Sequence, residues 1–232
     1  MSVIGDPSTR REFVATAGRM VSAVALTGGA AHSAHLNERP APGAAAGDWD
    51  LSWLDRLKPA TDRAIFDWPS LGDPADPIML ELAARYLDNC AAAYGATPYQ
   101  ARIVINIRTQ AVSAGLNDAA WARESLGVEY GTKDPTTQQP ATHNPFWHQA
   151  PSPAAGVTLP SLQDMVQRGA IVLVCDFAMT NLAKRLAAKT NRDAAEVHRS
   201  LRASLVPEAF AVPSGIFGLV KAQNAGCALV RV

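Results

Sequence analysis

The chain has 232 residues, and its Lys+Arg and Asp+Glu counts are both 21, so its formal net charge is zero. This balance argues against a large basic surface for nucleic acid or acidic membranes. The hydrophobic content of 48% is that of an ordinary globular protein. We therefore expect one well-buried domain and no nucleic-acid partner.

The first predicted element is an export signal over residues 1–34. Arg10 and Arg11 precede a short apolar stretch at 20–26, which gives way to small residues. This order is typical of a cleavable signal, and the arginine pair with Phe13 resembles the twin-arginine consensus. The apolar stretch is shorter than the roughly 20 residues of a membrane span. We expect export by the twin-arginine translocase to the periplasm or outside the cell, with no stable membrane anchor. The alternative is an amphipathic cytosolic helix with a chance arginine pair.

The next segment, 35–62, is rich in Pro, Ala and Gly and then carries Trp49 and Trp53. It predicts a linker followed by a short stretch whose two indole rings dock on the folded domain. The domain itself is predicted over 63–232.

Strands and helices alternate along this domain. The apolar runs predict strands at 64–68, 103–107, 170–175, 210–212 and 227–232. The three-to-four spacing of apolar residues and the capping residues predict helices at 77–94, 117–126, 160–168, 177–189, 193–205 and 214–225. Such alternation favours an α/β sandwich around a mostly parallel five-stranded sheet. The polar run at 128–159 indicates a functional loop or disorder. Glycine-rich phosphate-binding motifs are missing from the sequence, so we predict no nucleotide cofactor.

Three cysteines, Cys90, Cys175 and Cys227, are an odd number, so at least one thiol has no partner within the chain. Cys90 shares the apolar face of its predicted helix, and Cys227 opens an apolar strand. Both are predicted to be core residues.

Cys175 differs because it ends the most apolar strand and immediately precedes a helix. Ligands of open α/β sheets bind outside the carboxyl ends of strands. A helix N-terminus also favours the thiolate, which is the form that attacks a sulfane sulfur or holds a persulfide. The alternative is a small buried residue at a strand end. The neighbouring Asp176 would oppose the thiolate if it pointed inward, or could cap the helix.

Several motifs resemble the DsrE/DsrF-like family over roughly 63–232. They are Val-Leu-Val-Cys-Asp-Phe-Ala-Met around Cys175, the following Asn-Leu-Ala-Lys-Arg, and the closing Ala-Gln-Asn-Ala-Gly-Cys-Ala-Leu-Val. Arg108 with Leu-Asn-Asp-Ala-Ala-Trp at 116–121, and Asn-Pro-Phe-Trp at 144–147, resemble its exported branch. The resemblance implies a flavodoxin-like three-layer sandwich, a homo-oligomer (trimer or hexamer), and a cysteine that carries sulfur, here Cys175.

The candidate substrate-binding residues are Arg108, Asn117, Asp118, His143 and Trp147. Arg108 ends a strand on the edge of Cys175, where it could bind an anionic sulfur species or form a salt bridge with Asp118. His143 and Trp147 are expected in a loop over that edge. The spacing of His143, His148 and Asp134 matches no standard metal motif, so no metal is predicted.

Two functions follow from these residues. In the first, the protein is a sulfurtransferase-like persulfide carrier that uses Cys175, with a small sulfur species or a sulfur-carrying protein as partner. In the second, the same fold binds a small ligand or partner at this edge without catalysis.

Overall fold

The computed structural model describes residues 49–95, 100–148 and 159–231. Within the chain, Gly47–Val232 form one compact unit. The predicted export signal, the linker up to residue 48 and residues 149–158 of the predicted loop lie outside the described residues.

Five strands form one parallel sheet. They are β1 (Asp62–Trp68), β2 (Ala101–Ile107), β3 (Ile171–Cys175), β4 (Phe210–Val212) and β5 (Ala228–Arg231). Every neighbouring pair is parallel, and the order across the sheet is β4-β3-β2-β1-β5. The predicted three-layer α/β sandwich is confirmed. The strand order, which the sequence left open, differs from the 2-1-3-4-5 order of flavodoxin although the layering is flavodoxin-like.

Seven α-helices lie within the described residues. Six are close to their predicted positions, whereas the helix Leu126–Tyr130 was not predicted and most of it falls in the run 128–159 that was predicted to be a loop. The seven are α1 (Ile78–Tyr94), α2 (Asp118–Arg123), α3 (Leu126–Tyr130), α4 (Leu162–Gln167), α5 (Asp176–Thr190), α6 (Ala194–Arg202) and α7 (Gly215–Asn224). Two 3₁₀ helices, Ser52–Leu57 and Thr109–Gly115, were not predicted.

Capping residues at the helix ends explain why the helix positions could be predicted from the sequence. Gly95 ends α1 in the left-handed conformation, with φ of 67°, where a residue without a Cβ carries no steric penalty. Ser161 and Asp164 form a reciprocal capping box at the start of α4. The side chains of Asp193 and Ser214 accept backbone hydrogen bonds at the first turns of α6 and α7. These local signals set the helix boundaries without tertiary contacts.

The two faces of the sheet carry separate apolar cores. Val172 and Val174 of β3 point to the larger core, which α1 and α5 cover. Leu173 of the same strand points to a smaller core, which α7 and the first 3₁₀ helix cover through residues such as Ala222 and Trp53. The alternation follows from the two-residue period of a strand. Residues from the predicted docking segment, Trp53 and Leu57, are thus fully buried parts of this second core.

Within the described ranges, each helix is too short or too polar to cross a bilayer.

Candidate functional site

The helices that follow β3 and β4 pack on opposite faces of the sheet. Helix α5 leaves the carboxyl end of β3 and packs on the larger core, whereas α7 leaves β4 and packs on the opposite face. Adjacent strands whose following helices go to opposite faces leave a crevice between their ends. At this point the structure has an open cleft of about 770 Å³. A volume of this size is usual for a small-molecule site.

Cys175 lies on this cleft, as its predicted position required. It is the last residue of β3 and the N-cap of α5, and its Sγ accepts a hydrogen bond from the Ala178 N–H at 3.3 Å. The residue is only 4% exposed. Its sulfur therefore sits at the positive end of a 15-residue helix, where negative charge is stabilised.

Arg108 follows β2 and lines the same cleft. Its Nε and Nη2 donate to Oδ1 and Oδ2 of Asp67, both at 2.7 Å. The expected alternative of a salt bridge to Asp118 is wrong, because the parallel register brings Arg108 beside the end of β1 instead. The hydrogen bonds to Asp67 raise the pKa of Arg108, and attraction to the Cys175 sulfur adds to this although burial opposes it.

Asp67 itself has no solvent exposure, so its charge depends on protein partners. Asn106, its neighbour in β2, donates from Nδ2 to Asp67 Oδ1 at 3.2 Å and to the Gly215 carbonyl at 3.1 Å. These bonds connect β1, β2 and the start of α7 beneath the cleft. We did not identify Asp67 or Asn106 from sequence, although each interrupts an otherwise apolar strand at paired positions.

A second charged group lines the far side of the cleft. Arg185 of α5 donates from Nε to Glu129 Oε1 and from Nη2 to the Tyr130 hydroxyl, both at 3.2 Å. Lys189 also donates to Glu129. Burial raises the pKa of Glu129, but the hydrogen bonds from Lys189 and Arg185 outweigh it and hold that pKa below its usual value. Two cations around one carboxylate give this cluster one net positive charge, and Arg185 and Glu129 are its members that line the cleft.

The sequence contained a signal for Arg185 that we did not use. Cys175, Ala178, Asn181 and Arg185 recur at intervals of three, three and four residues, and all four line the cleft. This spacing places them along one face of α5. Phe177 and Ile216 form an apolar rim and are 64% and 58% exposed.

The carboxylate beside Cys175 is engaged elsewhere. Asp176 Oδ1 lies 3.0 Å from His198 Nε2 and 3.7 Å from Arg202 Nη1, both on α6. It does not cap α5, because Cys175 is the N-cap. Asp176 therefore belongs to the contact between α5 and α6.

The other four predicted binding residues lie together but are not part of the cleft lining. Asn117 caps α2 by accepting from the Ala120 N–H at 3.1 Å. Asp118 accepts from the Asn144 N–H at 2.8 Å and lies 2.9 Å from His148 Nε2. Burial raises the pKa of Asp118, but the hydrogen bond with His148 and that from the Asn144 backbone hold it below its usual value.

Buried Asn144 is the centre of this second group. Its Nδ2 donates to the carbonyls of Ala114 and Leu116. Trp147 packs against the larger core, and His143 Nε2 lies 3.3 Å from Asp134 Oδ2. His143 and His148 thus contact different carboxylates, and the described residues contain no cluster of three or more His, Cys, Asp or Glu that could hold a metal ion. These contacts hold the connection after β2 in place.

The remaining cysteines are buried and separate from the cleft. Cys90 lies on the buried side of α1 and Cys227 in the second core, and all three thiols are free. Burial raises the pKa of Cys227 to about 11. Of the three, only Cys175 combines a cleft with a helix N-terminus.

Comparison with solved structures found a distant likeness. No protein-family model matches the chain, and no curated protein matches it. A solved structure of a protein of unknown function from Methanobacterium thermoautotrophicum, MTH1491, is similar over 74% of this chain and 99% of that chain, with 13% identity and a TM-score of 0.35. What we conclude about function therefore rests on the residues of the site.

Proposed function

We propose that this protein is a sulfur-handling protein that carries a persulfide on Cys175. The observation that carries the proposal is the position of Sγ at the N-terminus of α5, on a cleft that Arg108 also lines. Both the helix terminus and the guanidinium stabilise an anionic sulfur. Neither a thiolate nor a terminal persulfide anion would need a further cofactor here.

The proposed step is a transfer of sulfane sulfur. The Cys175 thiolate attacks the outer sulfur of a donor persulfide, R–S–SH, and a new S–S bond forms as the donor S–S bond breaks. The donor leaves as the thiolate RS⁻, which takes up the proton, and Cys175 keeps the persulfide. The step is electron-balanced without an external oxidant. Because the other two cysteines lie outside the cleft, the acceptor thiol must come from another molecule.

We also propose that the chain belongs to the DsrE/DsrF-like family, whose motifs it resembles and some of whose members carry sulfur on a cysteine. We further propose that this protein works in the periplasm after twin-arginine export, as a homo-oligomer. Val220 on α7 and Leu229 on the edge strand β5 lie outside the cleft lining and are exposed apolar side chains. An assembly that covered them would bury an edge strand and apolar surface. Light scattering at micromolar concentration should give a multiple of the monomer mass.

A second candidate is a binding module that uses the cleft without covalent chemistry. The low exposure of Cys175 and the engagement of its Sγ as a helix cap favour this alternative. In that case the sulfur would stabilise α5, and the arginines would bind an anionic ligand.

The two candidates differ in a covalent product. The mature protein is treated with hydropolysulfide, and its mass is measured intact and after peptide mapping. We expect the mass of one added sulfur atom on Cys175, removable by dithiothreitol. Cys90→Ser and Cys227→Ser should load as the wild type, and Cys175→Ser should not load. Unmodified Cys175 in a folded protein would contradict the carrier function and favour the binding module.

A further inference from the structure

The cleft is much larger than the sulfur atom that it would transfer. An inorganic sulfur anion has a few heavy atoms and would occupy the space of a few waters, on the order of 100 Å³. The cleft measures about 770 Å³, within the range that organic ligands fill. Most of its lining lies beyond Cys175. The space indicates a donor with a carbon skeleton attached to its sulfur.

Cys175 and Arg185 lie at the two ends of one face of α5. Arg185 follows Cys175 by ten residues on α5, which corresponds to about 15 Å along the helix axis. Long helical side chains lean toward the N-terminus, so the guanidinium lies nearer to the sulfur, at roughly 10 Å. A ligand that contacts both groups must therefore extend over about three residues of extended peptide.

Unused hydrogen-bond donors lie at both ends and between them. Among the described residues, none accepts a hydrogen bond from Nη1 of Arg108 or from Nη1 of Arg185. Nor does the side-chain amide of Asn181, between them, have a partner within the described ranges. Arginine donors of this kind bind carboxylates, and an amide side chain can bind a peptide group.

The apolar rim fits the same kind of ligand. Phe177 and Ile216 stand at the mouth near the sulfur end and are largely exposed. They offer contact to methylene groups, whereas Arg185 offers a guanidinium whose Nη1 has no acceptor among the described residues. The cleft thus provides a sulfur end with an apolar rim, an amide side chain farther along the helix and an anion-binding end.

We infer that the cleft binds an anionic low-molecular-weight peptide thiol, with its sulfur at Cys175 and a carboxylate at Arg185. The inference rests on the proposed function for the transfer of sulfur from the persulfide of such a thiol. In that transfer the peptide persulfide gives its outer sulfur to Cys175 and leaves as the thiolate, as described above. Arg185 is then a substrate-binding residue, and the inorganic donors do not use it.

Glutathione is the probe, since it is a tripeptide thiol with carboxylates at both ends. Loading of Cys175 is followed at increasing concentrations of glutathione persulfide and, separately, of inorganic hydropolysulfide. We expect Arg185→Gln to raise the half-saturating concentration of glutathione persulfide by about tenfold, the effect of losing one charged hydrogen bond. Loading by hydropolysulfide should be unchanged. Arg199→Gln removes an exposed arginine on α6 and serves as the matched control.

Binding of S-methylglutathione, measured by calorimetry, tests the ligand separately from the chemistry. It should bind the wild type and Cys175→Ser, and about tenfold more weakly to Arg185→Gln. If Arg185→Gln does not fold, Arg185→Lys is tested in its place. This variant keeps the positive charge beside Glu129 and should bind S-methylglutathione with an affinity between those expected for the wild type and for Arg185→Gln. Loading by hydropolysulfide with no effect of either Arg185 variant on glutathione persulfide would overturn the inference and leave the carrier function standing. Failure of both donors would overturn the carrier function, and S-methylglutathione binding would then decide the ligand class alone.

Discussion

Gly215 and Arg108 are packed so closely that no side chain fits between them. A Cβ on Gly215 would lie 2.6 Å from Cβ and 2.8 Å from Cδ of Arg108. The start of α7 therefore rests directly on the arginine, whose guanidinium is held from the other side by Asp67. The position of Arg108 in the cleft is set by contacts on both sides.

Gly215→Ala should displace Arg108. The added methyl group overpacks this contact, and we expect a loss of about 1–3 kcal/mol in the free energy of unfolding. Urea denaturation measures the loss. Gln223→Ala, on the exposed side of the same helix, is the control and should change stability by less than about 0.5 kcal/mol. If Gly215→Ala leaves the free energy of unfolding unchanged, the Arg108 side chain is free to move aside.

Asp67→Asn should be more costly than its small change in size suggests. The carboxylate is fully buried and accepts both hydrogen bonds from Arg108, so its loss leaves a charged group without its partner. We expect a loss of about 3 kcal/mol in the free energy of unfolding, measured by urea denaturation. Asp55→Asn breaks the exposed ion pair with Lys58 and should cost less than about 0.5 kcal/mol. Equal effects of the two substitutions would contradict the structural role of Asp67.

The three cysteines should react with iodoacetamide in a fixed order. Cys175 should be labelled first, because it lies on the cleft at a helix N-terminus. Cys227, with a pKa of about 11, should be labelled more slowly than Cys175, since at pH 8 only about one Cys227 thiol in a thousand is ionised. Peptide mapping over time measures the order. Labelling of Cys175 only after denaturation would make it a core residue.

Acid should weaken the fold through Glu124. Burial raises the pKa of this carboxyl, but hydrogen bonds from Arg192 and Arg123 outweigh it and hold the pKa below its ordinary value of 4.5. The folded state then binds fewer protons than the unfolded chain, so the stabilisation is present above about pH 4.5 and is lost as the pH falls through the lower folded value.

Glu124→Gln tests this pH dependence. At pH 7 the variant should be less stable than the wild type by about 1–2 kcal/mol. The difference should shrink below pH 4.5, as urea titrations at several pH values would show. Glu208→Gln, which breaks an exposed pair with Arg56, is the control and should change stability little at any pH. A constant difference across the range would exclude Glu124 as the titrating group.

Export should depend on the guanidinium groups of Arg10 and Arg11. Lysine keeps the charge but lacks the planar fork that a receptor can read. We expect the double lysine variant to accumulate inside the cell, measured by fractionation and immunoblotting. Arg19→Lys, outside the pair, should be exported as the wild type. Normal export of the double variant would show that the twin-arginine route is not used.

Local sequence signals were enough to predict much of the fold. The alternation of apolar runs with capped helices predicted the α/β sandwich, because strand period, capping side chains and Gly95 act within a few residues of chain. The same reasoning placed Cys175 at the end of a strand and the start of a helix. Its character as a cleft residue followed from the general position of ligands in parallel sheets.

The surroundings of Cys175 in the cleft were decided only by the tertiary structure. Asp67 and Arg108 lie 41 residues apart in sequence, and the parallel register of β1 and β2 brings them together. The strand order places β3 beside β4 and sends α5 and α7 to opposite faces, which opens the cleft. His143 and Trp147, which were expected over Cys175, lie outside the cleft lining, since His143 contacts Asp134 and Trp147 packs against the larger core. Local sequence sets where helices and strands begin and end, whereas the order in which strands pair is set by the packing of the whole chain.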